Sequence, residues 1–403
     1  MSGEARRVGP GQETAAVGAG RGPGEKTVAV FSGGGTGGHL YPALALAEAL
    51  AGLRPDVAPF FIGALRGLEA RVLPRRGVEH ALLPVRGFSR SARLENLAVL
   101  GSLLRSLALV RSLFRKLRPG VVVVTGGYAG GPAGLMAGLM GIPLALQEQN
   151  AHPGLTTRVL SRWSRQIHLA FPEARDHLPG PARERARVTG NPIRVPPDME
   201  PGEAKSRLGF DPEDRVVLVV GGSQGAAALN DAVLACVRGV EEGALDLPPG
   251  VVLFWAAGPE KLRNVKEGLQ EAGTPSWARV VGYIEDMPLA LRAAEVAVSR
   301  AGAMATSELL AWGVPALLVP LPTAAADHQA RNAESLEEAG AALHLPQEDL
   351  TGRRLWEALT DLLLDPDRLS SMRAAALDRG RPHATREIAG ELALLLSSPG
   401  GAP

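Results

Sequence analysis

Only one cysteine, Cys236, occurs in the 403 residues. No disulfide or thiolate zinc cluster can therefore form within the chain, and a reducing cytoplasm is the simplest compartment. Aromatic residues are scarce, at 4%, and the one strongly basic stretch has no interleaved Tyr or Trp to stack on bases, so nucleic acid is not an expected partner. No apolar run reaches the roughly 18–20 residues of a membrane span; the best candidate, Ala133 to Leu146, is shorter and contains Pro143. Residues 1–25, rich in glycine with scattered charge, lack the apolar core of a secretory signal and read as a disordered tail. The expected chain is soluble or lies on a membrane. Net charge is also nearly absent, at +1. That total hides a basic half, with 25 Lys+Arg against 12 Asp+Glu in residues 1–194, and an acidic half, with 18 against 30 in residues 195–403. Such asymmetry raises contact with an anionic surface for the first half.

The length fits two domains, and the 45% hydrophobic content is ample for their cores. From Val28 onward short β-branched runs alternate with amphipathic stretches, the pattern of βαβ units and parallel sheets covered on both faces. Strands are expected at Val28–Phe31, Pro59–Ile62, Ala81–Val85, Val121–Thr125 and Pro143–Gln147, with helices at Leu40–Leu50, Leu94–Leu117 and Ala129–Met140. The alternation breaks at Thr189-Gly190-Asn191-Pro192-Ile193-Arg194, with Pro196, Pro197 and Pro201 beyond, which reads as a linker. It resumes at Val216–Val220, Val251–Trp255, Arg279–Val281, Val296–Ser299 and Ala316–Val319, and the chain turns helical from Leu350 to Leu396. The expected organisation is a tail (1–25), a first domain (26–190), a linker (191–202), a second domain (203–380) and a C-terminal helix (381–396) returning to the first domain. The strand Val28–Phe31 runs into Gly33–Gly38, and Val216–Val220 runs into Gly221-Gly222-Ser223-Gln224-Gly225. The expected fold is therefore α/β, with two Rossmann-like domains whose parallel sheets face across a cleft.

Gly33, Gly35 and Gly38 satisfy G-x-G-x-x-G, but the acidic residue that a dinucleotide ribose needs at the end of the second strand is missing, since that strand closes Phe61-Ile62-Gly63. A Walker A loop fails because His39 stands where lysine is required. Two Gly-rich turns at corresponding points of two domains favour a phosphate-bearing ligand, because glycines let backbone amides approach an anion at a helix start; a tight turn without ligand is the other reading of each. A lone histidine is more often structural than catalytic, yet His39, after a Gly loop at a helix start, is placed to act as a general base.

The segment Gly33-Gly34-Gly35-Thr36-Gly37-Gly38-His39, with Pro42 after it, resembles the opening motif of the MurG family. The resemblance continues through Gly126-Gly127-Tyr128-Ala129-Gly130-Gly131-Pro132, Glu148-Gln149-Asn150, Gly190-Asn191-Pro192-Ile193-Arg194, Gly221-Gly222-Ser223-Gln224-Gly225-Ala226 and Ser299-Arg300-Ala301-Gly302-Ala303, spanning Val28 to Leu396. It implies a GT-B fold and an inverting transfer of GlcNAc from UDP-GlcNAc to the C4 hydroxyl of MurNAc in the undecaprenyl-linked acceptor lipid I, giving lipid II for peptidoglycan. It also implies a peripheral protein on the cytoplasmic face of the cell membrane, with other cell-wall synthesis proteins as partners.

Carried over by motif, His39 is the catalytic base. UDP-GlcNAc contacts fall to Thr36, Gly37, Gly38, Asn150, Arg194 and Ser223, to the backbone of Ile284 for the uracil edge, to Ala303, Met304, Ala305, Thr306, Ser307 and Glu308, and to Gln329 for the sugar hydroxyls. Glu308 is assigned the ribose hydroxyls, and His328, Tyr128 and Gln224 are further candidates. No cofactor and no metal site is expected, since no Asp-x-Asp lies near the Gly loops. Two departures stand out: Ala305 replaces a frequent threonine, with Thr306 next to it, and Gln147 replaces a histidine before Glu148-Gln149-Asn150. Residues 86–118 hold eight basic residues and one acid, Glu95, among leucines and Phe88 and Phe114. This suits a helix on anionic headgroups; an amphipathic helix merely covering the sheet is the alternative from Leu103 onward. Outside the resemblance, another GT-B transferase, a dehydrogenase and a non-catalytic lipid-surface module remain open.

Overall fold

The computed structural model describes residues 26–85, 95–222 and 224–397, with the side chains of 95–98 left aside. Parts of the sequence reading lie outside the described residues: the tail, Ser223, and residues 86–94 with Arg86, Phe88, Arg90, Arg93 and Leu94.

Thirteen strands are described. The first seven are β1 (Thr27–Ser32), β2 (Val57–Ala64), β3 (His80–Leu83), β4 (Val121–Val124), β5 (Leu144–Glu148), β6 (Gln166–Leu169) and β7 (Ala186–Val188), and they form one sheet in the order β3-β2-β1-β4-β5-β6-β7. The remaining six are β8 (Arg215–Val220), β9 (Val251–Ala256), β10 (Ala278–Val281), β11 (Ala294–Ser299), β12 (Ala316–Leu318) and β13 (Ala342–His344), ordered β10-β9-β8-β11-β12-β13. Pairing is parallel, as where Thr27 to Ser32 lie opposite Val57 to Ile62, and Arg215 to Val220 opposite Val251 to Ala256. Each sheet's order reverses beside its first strand, which is where an open α/β sheet leaves room for a ligand at the carboxyl ends of its strands. Both Gly-rich turns leave those first strands, β1 and β8.

The strands predicted from the sequence are all present, and β6, β7 and β13 are additional. Those three run only three or four residues, and β6 (Gln166-Ile167-His168-Leu169) carries polar residues that hide the apolar pattern, although His168 is buried.

The chain divides into two compact units. Of the described residues, the first comprises those up to Leu146, Trp163–Arg165 and those from Ala389; the second comprises those in Gln147–Arg162 and Gln166–Ile388. Within the first unit, Val121 to Val124 and Ala29 to Phe31 are buried, and Arg54 donates to the Ala393 carbonyl and to Ser397 Oγ. In the second, one cluster gathers Val217, Val219 and Trp255 with Leu355, Trp356 and Leu359, and another gathers Leu218, Phe254, Leu309 and Trp312. Valine-rich β8 is buried from both sides, as a central parallel strand must be.

Candidate active site

The first glycine loop belongs to the first unit. β1 ends at Ser32, whose hydroxyl donates to the Ile62 carbonyl at 3.0 Å, and the helix Gly37–Leu53 starts after Thr36. Gly33 is required by crowding: a Cβ there would stand 1.9 Å from Thr125 Oγ1. Gly35 has φ of +92° and lies under the Tyr128 ring, while a Cβ on Gly127 would stand 2.2 Å from the Gly34 carbonyl oxygen. The two glycine motifs of this unit are thus packed backbone to backbone.

His39 sits against this junction. Its Nδ1 is 3.0 Å from the Thr125 carbonyl oxygen, and Thr125 Oγ1 returns a 2.7 Å bond to the His39 carbonyl. A carbonyl only accepts, so Nδ1 carries the proton and the lone pair resides on Nε2, the tautomer a general base needs. Thr125 therefore orients His39, a role the sequence reading missed; its one signal is its place at the carboxyl end of β4, just before Gly126-Gly127-Tyr128. Thr36 and Gly38 are exposed and Gly37 is half-buried. The Tyr128 phenol is pushed up from its ordinary value by burial, and secondarily by the charge of Glu69.

The second loop is built differently. A Cβ on Gly221 would stand 2.5 Å from the Ala226 amide nitrogen, and one on Gly225, at φ +70°, would stand 2.0 Å from the Ala257 carbonyl oxygen. Lys261 Nζ donates to the carbonyl of exposed Gln224 at 2.8 Å. The loop, the start of the helix Ala303–Trp312 and Gln329 together line a cavity of about 440 Å³. Ala305 is part of that lining, as are Arg300 and Gln347, which the sequence reading did not assign. Arg300 donates from Nη1 to the carbonyls of Val319 and Pro320 at 3.0 Å, and from Nη2 to Gln347 Oε1 at 2.6 Å. These partners are neutral, so its positive charge stands at the cavity wall, although burial lowers its pKa from the ordinary arginine value.

Several assigned side chains are occupied by the protein itself. Thr306 is fully buried and its hydroxyl donates to the carbonyls of Ala303 and Gly302, so it does not replace the hydroxyl missing at Ala305. Ser307 Oγ accepts from Asn191 Nδ2 at 2.9 Å. Ile284 is buried in the core, leaving its backbone for any ligand, and Met304 packs against the same cluster. Gln329 Oε1 accepts from the Leu321 amide at 3.0 Å, and His328 Nδ1 lies 2.6 Å from the Ala325 carbonyl oxygen. Asn150 is tied to Glu148 through Nδ2 and to Asn332 through Oδ1, while Asn332 also accepts from the Ala151 amide. The Gln147 departure now has a physical reading: its Nε2 donates to Asn191 Oδ1 at 2.8 Å. Asn191 in turn donates to the Gln149 and Ala303 carbonyls, so it joins three motifs at one buried amide.

Glu308 lies inside the first turns of the same helix, partly buried. Burial pushes its carboxyl up to about 7, an effect that the positive charge of exposed Arg194 opposes. Its protonation is thus poised near neutrality, where a gain of hydrogen-bond donors favours the carboxylate.

The chain matches the glycosyltransferase family 28 N-terminal domain over residues 29–169 and the family 28 C-terminal domain over residues 216–388. It is 43% identical over 362 residues to the UDP-N-acetylglucosamine--N-acetylmuramyl-(pentapeptide) pyrophosphoryl-undecaprenol N-acetylglucosamine transferase of Salinibacter ruber, covering 89% of this chain and 94% of that one. The protein of the same description in Desulforudis audaxviator is 40% identical, with 88% and 94% covered. Among solved structures, that of Acinetobacter baumannii MurG superposes with a TM-score of 0.73 at 27% identity, covering 91% of this chain and 99% of its own. Two parallel sheets, each sending a glycine loop from its first strand, accord with these likenesses, and the chain belongs to the MurG family of GT-B glycosyltransferases.

Proposed function

We propose that this chain moves GlcNAc from UDP-GlcNAc to the C4 hydroxyl of MurNAc in undecaprenyl-pyrophosphoryl-MurNAc-pentapeptide, a step of peptidoglycan synthesis, with inversion at the anomeric carbon. The observation that carries this reading is the similarity, over nearly the whole chain, to transferases described by that donor and acceptor. The cavity of the second unit supports it. Loop amides, a helix start and the Arg300 cation surround a space suited to a diphosphate, and Gln329 brings an amide suited to sugar hydroxyls.

In the reaction, the acceptor oxygen forms a bond to the anomeric carbon as the bond to the UDP oxygen breaks, and UDP leaves with that electron pair. His39 Nε2 takes the acceptor's hydroxyl proton, while Nδ1–H stays anchored on the Thr125 carbonyl and holds the ring in place. Donor amides and Arg300 stabilise the charge that grows on UDP, a contribution that rests on preorganisation rather than on proton transfer. Glu308, as carboxylate, accepts from the ribose hydroxyls, and Asn150, Arg194 and Ser223 complete the donor contacts. Thr36, Gly37, Gly38 and Tyr128 border the base.

The same reading places the protein at the cytoplasmic face of the cell membrane. Among the described residues no helix is long and apolar enough to cross a membrane. The helix Glu95–Leu117 buries Val99, Val110 and Phe114, yet leaves Leu100 52%, Leu104 60% and Leu109 45% exposed beside Arg105, Arg111, Arg115 and Lys116. One face covers the protein, and the other suits anionic headgroups, each cation near such a surface adding about 1 kcal/mol. Transfer of radiolabel from UDP-GlcNAc to a lipid I analogue tests donor and acceptor together. Label incorporation into a product of lipid II mobility is expected, and binding of UDP-GlcNAc without transfer to lipid I would overturn the acceptor assignment.

A further inference from the structure

Beneath the first glycine loop lies a carboxylate with no assigned task. Glu69 opens the short helix Glu69–Arg75 and is 0% exposed. Its Oε1 accepts from the Gly35 amide at 2.8 Å and more weakly from the Ala64 amide at 3.5 Å, while Oε2 is buried without a hydrogen-bond partner. Three glycines make room for it: a Cβ would stand 1.4 Å from Oε1 if placed on Gly34, 2.0 Å from Oε2 if on Gly67, and 2.6 Å from the Glu69 Cβ if on Gly63. Burying half of a carboxylate unpaired is costly, and a neutral amide at this position would serve the Gly35 bond equally well. What the carboxylate adds is negative charge.

Glu69 is connected to the base through the backbone of the loop. The Gly35 amide fixes the Gly34–Gly35 peptide, the Gly34 carbonyl abuts Gly127, and a Cβ on Gly127 would meet His39 Cδ2 at 3.0 Å. The Tyr128 phenol, packed on Gly35, already feels Glu69 as a second cause of its raised pKa.

We infer that Glu69 is a positioning residue for His39. Its carboxylate holds the loop through Gly35 and stabilises the imidazolium that forms when His39 takes the acceptor proton. A second consequence follows from the same bond. With the Gly35 amide committed to an anion of the protein, that amide is not offered to a phosphate. The inference rests on His39 as the base.

The test uses the full chain in three variants, measured for kcat against pH, UDP-GlcNAc affinity and thermal midpoint. E69Q keeps an acceptor for Gly35 and removes the charge. It is expected to fold, to bind UDP-GlcNAc within about twofold of wild type, and to lose kcat on the order of tenfold or more. The acid limb of its kcat profile should move to lower pH, because an imidazolium without its counter-charge releases the proton more readily. E69Q with wild-type kcat and an unmoved limb overturns the inference, as does a kcat loss with the limb unmoved, which marks a purely structural role. If E69Q does not fold by circular dichroism, E69D carries the test: it keeps the charge but falls short of Gly35, so reduced kcat with the limb in its wild-type place is expected, and wild-type kcat overturns the inference. H39A separates the two ideas, since wild-type turnover in H39A removes the base itself, whereas an inactive H39A beside a wild-type-like E69Q removes only Glu69.

Discussion

Two loops with the same sequence signature, a strand followed by glycines and a helix, are built differently. In the first, Gly35 spends its amide on the buried Glu69 carboxylate and the glycines are needed to fit Glu69, Thr125 and Tyr128. In the second, Gly221 and Gly225 are needed so that the loop can fold tightly against Ala226 and Ala257, and the outer side of the loop lines the cavity. One loop is filled by its own protein and carries a histidine; the other borders a cavity. A Gly-rich turn is therefore only a permission for close approach, and what approaches is decided by neighbours far away in the chain.

The comparison breaks or sharpens at four points. The largest effect belongs to H39A, for which turnover should fall about 10²–10⁴-fold while calorimetric UDP-GlcNAc affinity stays within twofold, because the donor cavity lies wholly in the second unit. A parallel loss of donor affinity would dissolve the contrast between the loops. Next comes G225A: a side chain at φ +70° and 2.0 Å from the Ala257 oxygen should cost about 2–4 kcal/mol in thermal unfolding and weaken the donor at least tenfold. G222A, at φ +89° but with open space around it, should cost only about 1–2 kcal/mol, and equal losses in both would argue against the packing account.

Glu308 supplies a pH test confined to the second loop's side. With its carboxyl raised to about 7, the buried acid form is favoured in the empty protein, and ribose hydroxyls favour the carboxylate. UDP-GlcNAc affinity should therefore weaken several-fold as pH falls from 8 to 6, and E308Q should bind weakly with no such slope. Because this carboxyl is raised from 4.5, its contribution to stability is full below that value and is lost as pH rises through about 7, on the order of 1–3 kcal/mol. E308Q should accordingly lose less stability than wild type between pH 5 and 8. The smallest effect belongs to His168, lowered to about 4 by burial and by Arg187. Its neutral form contributes stability that is complete above pH 6.5 and lost as pH falls toward 4, so H168Q should narrow the difference in melting temperature between pH 7 and pH 5, leaving transfer untouched.

The sheets were legible because long valine runs such as Val216–Val220 have no other use than a strand buried on both faces. Motif order located His39, the second loop and the helix at Ala303, since these depend on residues close in sequence. The fine roles were not legible. Thr306 looked like a relocated ligand hydroxyl and is instead bonded to its own helix backbone, and Asn191 looked like part of a linker and is instead the buried amide joining Gln147, Gln149 and Ala303. The role of Glu69 was not legible, since Gly34 and Gly35 reach it only after β1 and β2 have paired.

By itself the amino-acid sequence determined the alternation of strand and helix, the two glycine turns and the concentration of positive charge in residues 86–118, because periodicity, backbone permissiveness and charge are local properties. Only the tertiary structure decided which nitrogen of His39 holds its proton, which hydroxyls and amides remain for a ligand, and how Glu308 titrates. Hydrogen-bond partners and desolvation arise when segments distant in the chain are packed together, so no spacing within one segment encodes them.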